Sequence, residues 1–130
     1  MDEELRELIL KWMQKADNDL KTARLGLSAV EPVTDTICFH CQQAAEKYLK
    51  AYLVSKNIVP DKTHKIENLL ENCIATDQSF AELEDTKILT EYAVELRYPD
   101  DFYMPDTEEA KEAFTLAEKT RKFIINILNI

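Results

Sequence analysis

The sequence predicts an all-α protein: an up-and-down antiparallel four-helix bundle with one additional short helix, as a single domain over residues 1–130. Three observations carry this. The chain has 1 Gly and 4 Pro, too few turn residues for the many tight reversals of an all-β fold. Apolar residues recur at steps of three and four over long stretches, the period of a helix with one buried side. Capping residues stand where several of those stretches begin. With hydrophobic residues at 45%, a chain of this length buries roughly two-thirds of its unfolded surface and needs neither a disulfide nor a metal to hold it.

The first helix runs from about Asp2 to Leu27, with Leu5, Leu8, Ile9, Trp12, Ala16, Leu20, Ala23 and Leu27 as its apolar side. Asp2 suits the N-cap, and Glu3 and Glu4 suit the positive end of the helix dipole. Pro32 marks the connection over Ser28 to Thr34. The second helix, about Asp35 to Lys56, is apolar well beyond one stripe: Ile37, Cys41, Ala44, Tyr48 and Tyr52 on one side, with Phe39, Leu49 and Leu53 widening it. Such a helix has more than one partner and belongs at the centre. Gln42 and Glu46 sit among these apolar residues, and Glu46 with Lys50 reads as a surface pair.

Pro60 turns the chain, and Thr63 is placed to cap a short third helix near His64 to Ile74. Asp77 or Ser79 caps a fourth, whose Leu83, Ile88, Leu89, Tyr92, Ala93 and Leu96 make a stripe. Pro99 disfavours helix at Tyr98, so this helix should end near Arg97. After a loop rich in aromatics and acids, Asp106 or Thr107 caps the last helix, with Ala110, Ala113, Phe114, Ala117, Ile124 and Leu128 on one face. Leu116, Phe123, Ile127 and Ile130 give it a second apolar face, so a homodimer is expected.

Charge and cysteine content exclude several functions. A net charge of −9 opposes the many cationic contacts that long DNA demands. No apolar run approaches the roughly 20 residues that span a bilayer, and no signal-peptide core follows Met1, so no membrane partner is expected. With 3 cysteines, an odd number, a cytoplasmic location is expected. Gly26 alone cannot build a phosphate-cradling glycine loop or a nucleophile elbow. Cys38 and Cys41 form a CxxC on the apolar side of a helix, without the further ligands zinc needs, so they read as buried small hydrophobes. Neither His40 nor His64 has the Glu three residues earlier that a di-iron bundle uses. No metal and no cofactor are expected, and no catalytic residue is assigned.

Two places can carry chemistry. Arg97, beside Tyr98, Pro99, Asp100, Asp101, Phe102 and Tyr103, can present its planar fork to a phosphate, or simply complement the helix end and pair with Asp100 or Asp101. Asp100, Asp101 and Asp106 suit turns and caps better than Mg²⁺. On the second helix, His40, Gln43, Lys47 and Lys50 share one polar sector: a cationic wall for a phosphate, or a solvated face. His64, between Lys62 and Lys65, reads as an exposed helix-start residue with an acid–base option.

These segments together resemble the HEPN domain family, in the small prokaryotic branch paired with minimal nucleotidyltransferases. The resemblance runs through Ala16-Asp17-Asn18-Asp19-Leu20, then Phe39 to Ala51, Lys62-Thr63-His64, and Ala93 to Pro99. The second-helix segment is the most specific part. The resemblance implies a dimerising helical bundle, a cleft between subunits, and a nucleotide or RNA as ligand. It also implies a nucleotidyltransferase as partner in a toxin–antitoxin pair. The family's ribonuclease motif is Arg, four to six residues, then His. Arg97 matches the Arg, but Phe102, Tyr103 and Met104 stand at the His positions, and no His follows His64. Cleavage through the 2′-OH needs a proton acceptor and a proton donor, so ribonuclease activity is not supported through that motif; His64 or His40 would have to stand in. Tyr103 lies near where some relatives carry a Tyr that receives a nucleotide. The expected function is therefore phosphate binding in a dimer cleft by Arg97 and Tyr103, helped by His40, Gln43 and Lys47. The alternative is a protein–protein interaction module.

Overall fold

The computed structural model describes residues 2–93 and 103–130, and over these the protein is entirely helical. Helix α1 spans Glu3–Leu27, α2 Thr34–Ser55, α3 Ile66–Thr76 and α4 Thr107–Leu128, with a 3-10 helix over Gln78–Tyr92 between α3 and α4. Contacts along the rods fix their directions. Gly26 abuts Ile37 and Lys50 lies over Trp12, so α1 and α2 are antiparallel. Phe80 stacks on Phe123 while Tyr92 bonds Glu109, so the 3-10 helix opposes α4. Tyr52 reaches Phe80 at one end of the 3-10 helix and Cys38 acts on Tyr92 at the other, so it opposes α2 as well. The four long rods thus run up, down, up and down, with α3 as the additional short helix.

The ends of α1 and α4 obey local chemistry. The Asp2 side chain accepts from Leu5 N–H at 2.7 Å, and Asp106 accepts from Glu109 N–H at 2.8 Å, as N-cap carboxylates do. Helix α2 ends at Ser55, and just past its cap Asn57, with a φ of 60°, takes a left-handed conformation that Asn tolerates. The following N–H groups then turn back: Asn57 to the Val54 carbonyl at 2.9 Å and Ile58 to that of Leu53 at 3.0 Å, a Schellman closure. Gly26 lets the first two helices approach: a Cβ there would lie 2.7 Å from Ile37 Cγ1.

Two elements differ from expectation. Helix α3 begins at Ile66 rather than His64, and Thr63 only forms a local turn to Lys65 N–H at 3.1 Å. The cap comes from across the fold. The Thr90 hydroxyl accepts from Ile66 N–H at 2.8 Å and donates to Glu67 at 3.1 Å. The helix over Gln78–Tyr92 is a 3-10 helix, not the α-helix expected there. Five of its six buried residues, Phe80, Leu83, Thr86, Leu89 and Tyr92, are spaced by three, the sixth being Thr90. At three residues per turn they line up, whereas on an α-helix each step of three would slip by about 60° and wind the stripe around the rod. Ile88, which the α-helical stripe required, is 52% exposed. The predicted end near Arg97 lies outside the described residues.

Central placement of α2 agrees with its predicted breadth. Ile37, Cys38, Cys41, Ala44, Ala45, Tyr48, Leu49, Ala51, Tyr52 and Leu53 are all buried, against α1, α3, the 3-10 helix and α4. Among the described residues no helix is long and apolar enough to cross a membrane.

Candidate functional site

At 100° per residue, His40, Gln43, Lys47 and Lys50 occupy about 80° of α2, the sector left between α1 and the 57–65 loop. All four are half-buried. Each edge of this strip carries a carboxylate with the same pair of partners. On the α1 edge, Asp19 Oδ1 meets His40 Nδ1 at 2.9 Å and Asp19 Oδ2 takes the Lys47 ammonium. On the other edge, Glu46 Oε1 meets His64 Nδ1 at 2.7 Å and Glu46 Oε2 faces Lys50 Nζ at 3.6 Å.

The two centres differ in depth. The Glu46 side chain is 4% exposed and that of Lys50 12%, so this is a buried ion pair and not the surface pair the spacing suggested. Position 46 points toward the loop that brings His64 across, which covers the carboxylate. The loop is held twice, since Gln42 Nε2 also donates to the His64 carbonyl at 2.8 Å. Gln43 Nε2 in turn donates to Gln42 Oε1 at 2.6 Å, tying the middle of the strip to that clamp. His64 is therefore anchored by a buried carboxylate and is not merely an exposed helix-start residue. Its ring stays 33% exposed.

An ionised carboxylate only accepts, so each bonded imidazole carries its hydrogen on Nδ1. With a neutral imidazole each carboxylate, Lys and His group sums to zero charge, and with an imidazolium to +1. A third carboxylate, Asp17, accepts from the Tyr48 hydroxyl and from Arg121 Nε at 3.0 Å, joining α1, α2 and α4. Burial, then the Asp17 hydrogen bond, push the Tyr48 phenol well above its ordinary value. The same carboxylate raises Arg121 further. This group is a structural tie.

Tyr103 lies elsewhere. Its hydroxyl and that of Tyr92 donate to the two oxygens of Glu109. They line a cavity of about 420 Å³ between the 3-10 helix and α4, with Ile88, Leu89, Asp106, Glu108, Glu112, Ala113 and Leu116. No residue of α2 takes part in it. Of the predicted site residues, the fold brings His40 and Lys47 onto one carboxylate with Gln43 beside them, and sets Tyr103 among acids. Arg97, with Asp100, Asp101 and Phe102, lies outside the described residues. Asp106 is the cap of α4.

Sequence reasoning missed Asp19 and the buried role of Glu46. The signal was available for Glu46: it falls on the buried flank of α2 with Gln42. For Asp19 the sequence gives only a polar position on α1, and its two partners lie 21 and 28 residues away. The three cysteines are buried as expected. Burial raises the Cys41 thiol, and it pushes Cys73 up to about 12, which removes nucleophilic thiolate. Among the described residues no three or more His, Cys, Asp and Glu side chains gather as metal ligands would.

Fold and strip together define an all-helical bundle organised around one central helix, with a polar, histidine-bearing seam along it. The chain belongs to the HEPN domain family, whose model matches residues 9–128. It is similar to the crystal structure of ST0689, an archaeal HEPN homologue, with 25% identity and a TM-score of 0.73 over 91% of this chain and 95% of that one. It is also similar to the crystal structure of TT1696 from Thermus thermophilus, with 27% identity and a TM-score of 0.71 over 91% of this chain and 96% of that one. No curated protein matches it.

Proposed function

We propose that this HEPN protein binds the phosphate of a nucleotide or an RNA on the α2 strip, through His40, Gln43 and Lys47. We infer further that it does so as a homodimer and as the partner of a nucleotidyltransferase in a toxin–antitoxin pair, as the family resemblance implies. The observation that carries the reading is the strip itself, with two lysines and two carboxylate-held imidazoles along one half-buried face. Imidazolium, ammonium and amide groups are all donors, and charge-assisted bonds to phosphate are the strong ones. The Tyr92–Tyr103 cavity favours the opposite ligand charge: an anion there would face Asp106, Glu108, Glu109 and Glu112. Tyr103 thus enters this reading at most as a neighbour of the bound chain. Arg97 stays in it through the resemblance, as a guanidinium for the same phosphate.

Isothermal titration with AMP and with hexauridylate tests the binding. Lys47→Ala should weaken the better ligand by about tenfold, the loss of one charge-assisted bond, and Arg97→Ala should also weaken it. Absence of heat with either ligand, or indifference to both substitutions, favours the protein–protein interaction module instead. Light scattering of the free protein tests the dimer.

A further inference from the structure

His40 differs from an ordinary surface imidazole in what holds it. Asp19 fixes it through Nδ1 at 2.9 Å and binds the Lys47 ammonium with its other oxygen. Asp19 itself is only 13% exposed, so the lysine charge is cancelled at close range. Two consequences follow. With His40 neutral, the centre offers an incoming phosphate no net charge. The outer nitrogen, Nε2, is then a lone pair, which repels a phosphate oxygen. Protonation reverses both at once, since Nε2 gains a hydrogen and the centre gains a positive charge.

Resting on the phosphate-binding reading above, we propose that the strip takes up a phosphodiester together with a proton on His40, with Asp19 as the positioning residue that sets both ring orientation and local charge. The groups facing the ring are Asp19 from α1 and Lys47 from its own helix, with the Phe39 ring at 5.4 Å. Among the described residues nothing else bonds the imidazole. By linkage, a ligand that binds the protonated form better must draw a proton in, and its affinity must rise as pH falls through the imidazole range. The bound species is protein–HisH⁺·phosphate⁻, the proton coming from buffer, with no covalent change.

Hexauridylate is the probe, because its phosphodiesters keep their charge between about pH 5 and 8 and all titration in that window belongs to the protein. Calorimetry in buffers of different ionisation heat should report net proton uptake. Affinity should be about tenfold higher near pH 5.5 than near pH 8. His40→Gln keeps a donor toward Asp19 but cannot titrate, so proton uptake and pH dependence should both fall sharply. Asp19→Asn gives the opposite sign: Lys47 is no longer neutralised, and affinity near pH 8 should rise. A merely structural Asp19 would lower affinity at every pH. Circular dichroism melts confirm that each variant is folded. Binding without proton uptake, or uptake that survives His40→Gln, overturns the coupling while the phosphate reading stands. No heat at any pH removes that reading, and the coupling with it.

Discussion

The α2 strip and the Tyr92–Tyr103 cavity are built on the same plan and end with opposite character. Each places a carboxylate where it can take two partners. Asp19 and Glu46 take a lysine and a histidine each, so each carboxylate is met by a cation. Glu109 takes two phenols, which satisfy its oxygens but leave its charge intact beside Asp106, Glu108 and Glu112. Partner chemistry, and not only the number of acids, sets the local charge of each surface. A tyrosine that already donates its proton to a carboxylate is a poor first contact for a phosphate, whatever its place in a motif.

If that contrast holds, removing the central carboxylate should cost very different amounts in the two regions. Glu46→Ala strands Lys50 in a buried setting and releases His64, and should lower the unfolding free energy by about 3 kcal/mol. Glu109→Ala leaves two neutral hydroxyls that water can satisfy, and should cost about 1 kcal/mol. Urea unfolding measures both, and equal losses would mean that the two centres are alike after all. On ligand binding the contrast should run the same way. Tyr103→Phe should leave hexauridylate affinity within about twofold, where Lys47→Ala loses about tenfold. A large Tyr103→Phe effect would return the tyrosine to the phosphate site.

The smallest effect is alkaline. Burial first, then hydrogen bonds to Asp17 and Glu109, raise the Tyr48 and Tyr92 phenols well above the ordinary 10.0. A raised folded-state value means that the unfolded chain gives up these protons first. The associated stability is therefore full below about pH 10 and drains away as pH climbs above it. In an ultraviolet titration these two phenols should stay protonated after the exposed ones ionise, and should titrate only as the fold opens. Early, complete ionisation would show that they are not tied to their carboxylates.

Much of this was readable from residues alone. The ends of α1 and α4 follow from Asp2 and Asp106, because an N-cap carboxylate acts on N–H groups two and three residues away. The central position of α2 follows from apolar residues on more than one side. Helix α3 and the 3-10 helix are less legible, for identifiable reasons. The start of α3 depends on the Thr90 hydroxyl, 24 residues distant, which no local pattern encodes. The 3-10 helix did leave a trace, the spacing of three from Phe80 to Tyr92, but leucines and a tyrosine at three and four steps also fit an α-helix.

For the site the division is sharper. Sequence alone determined that His40, Gln43, Lys47 and Lys50 share a sector, because the pitch of a helix is fixed by its backbone. It also determined that Gly26 alone cannot build a phosphate-cradling glycine loop or a nucleophile elbow. Which charge each of these side chains meets was decided only when α1 was laid antiparallel to α2 and the loop bearing His64 was folded across Glu46. Those pairings join residues that lie far apart along the chain. Their electrostatic consequence depends on separations of a few ångströms and on exclusion of water, neither of which exists until the helices have packed.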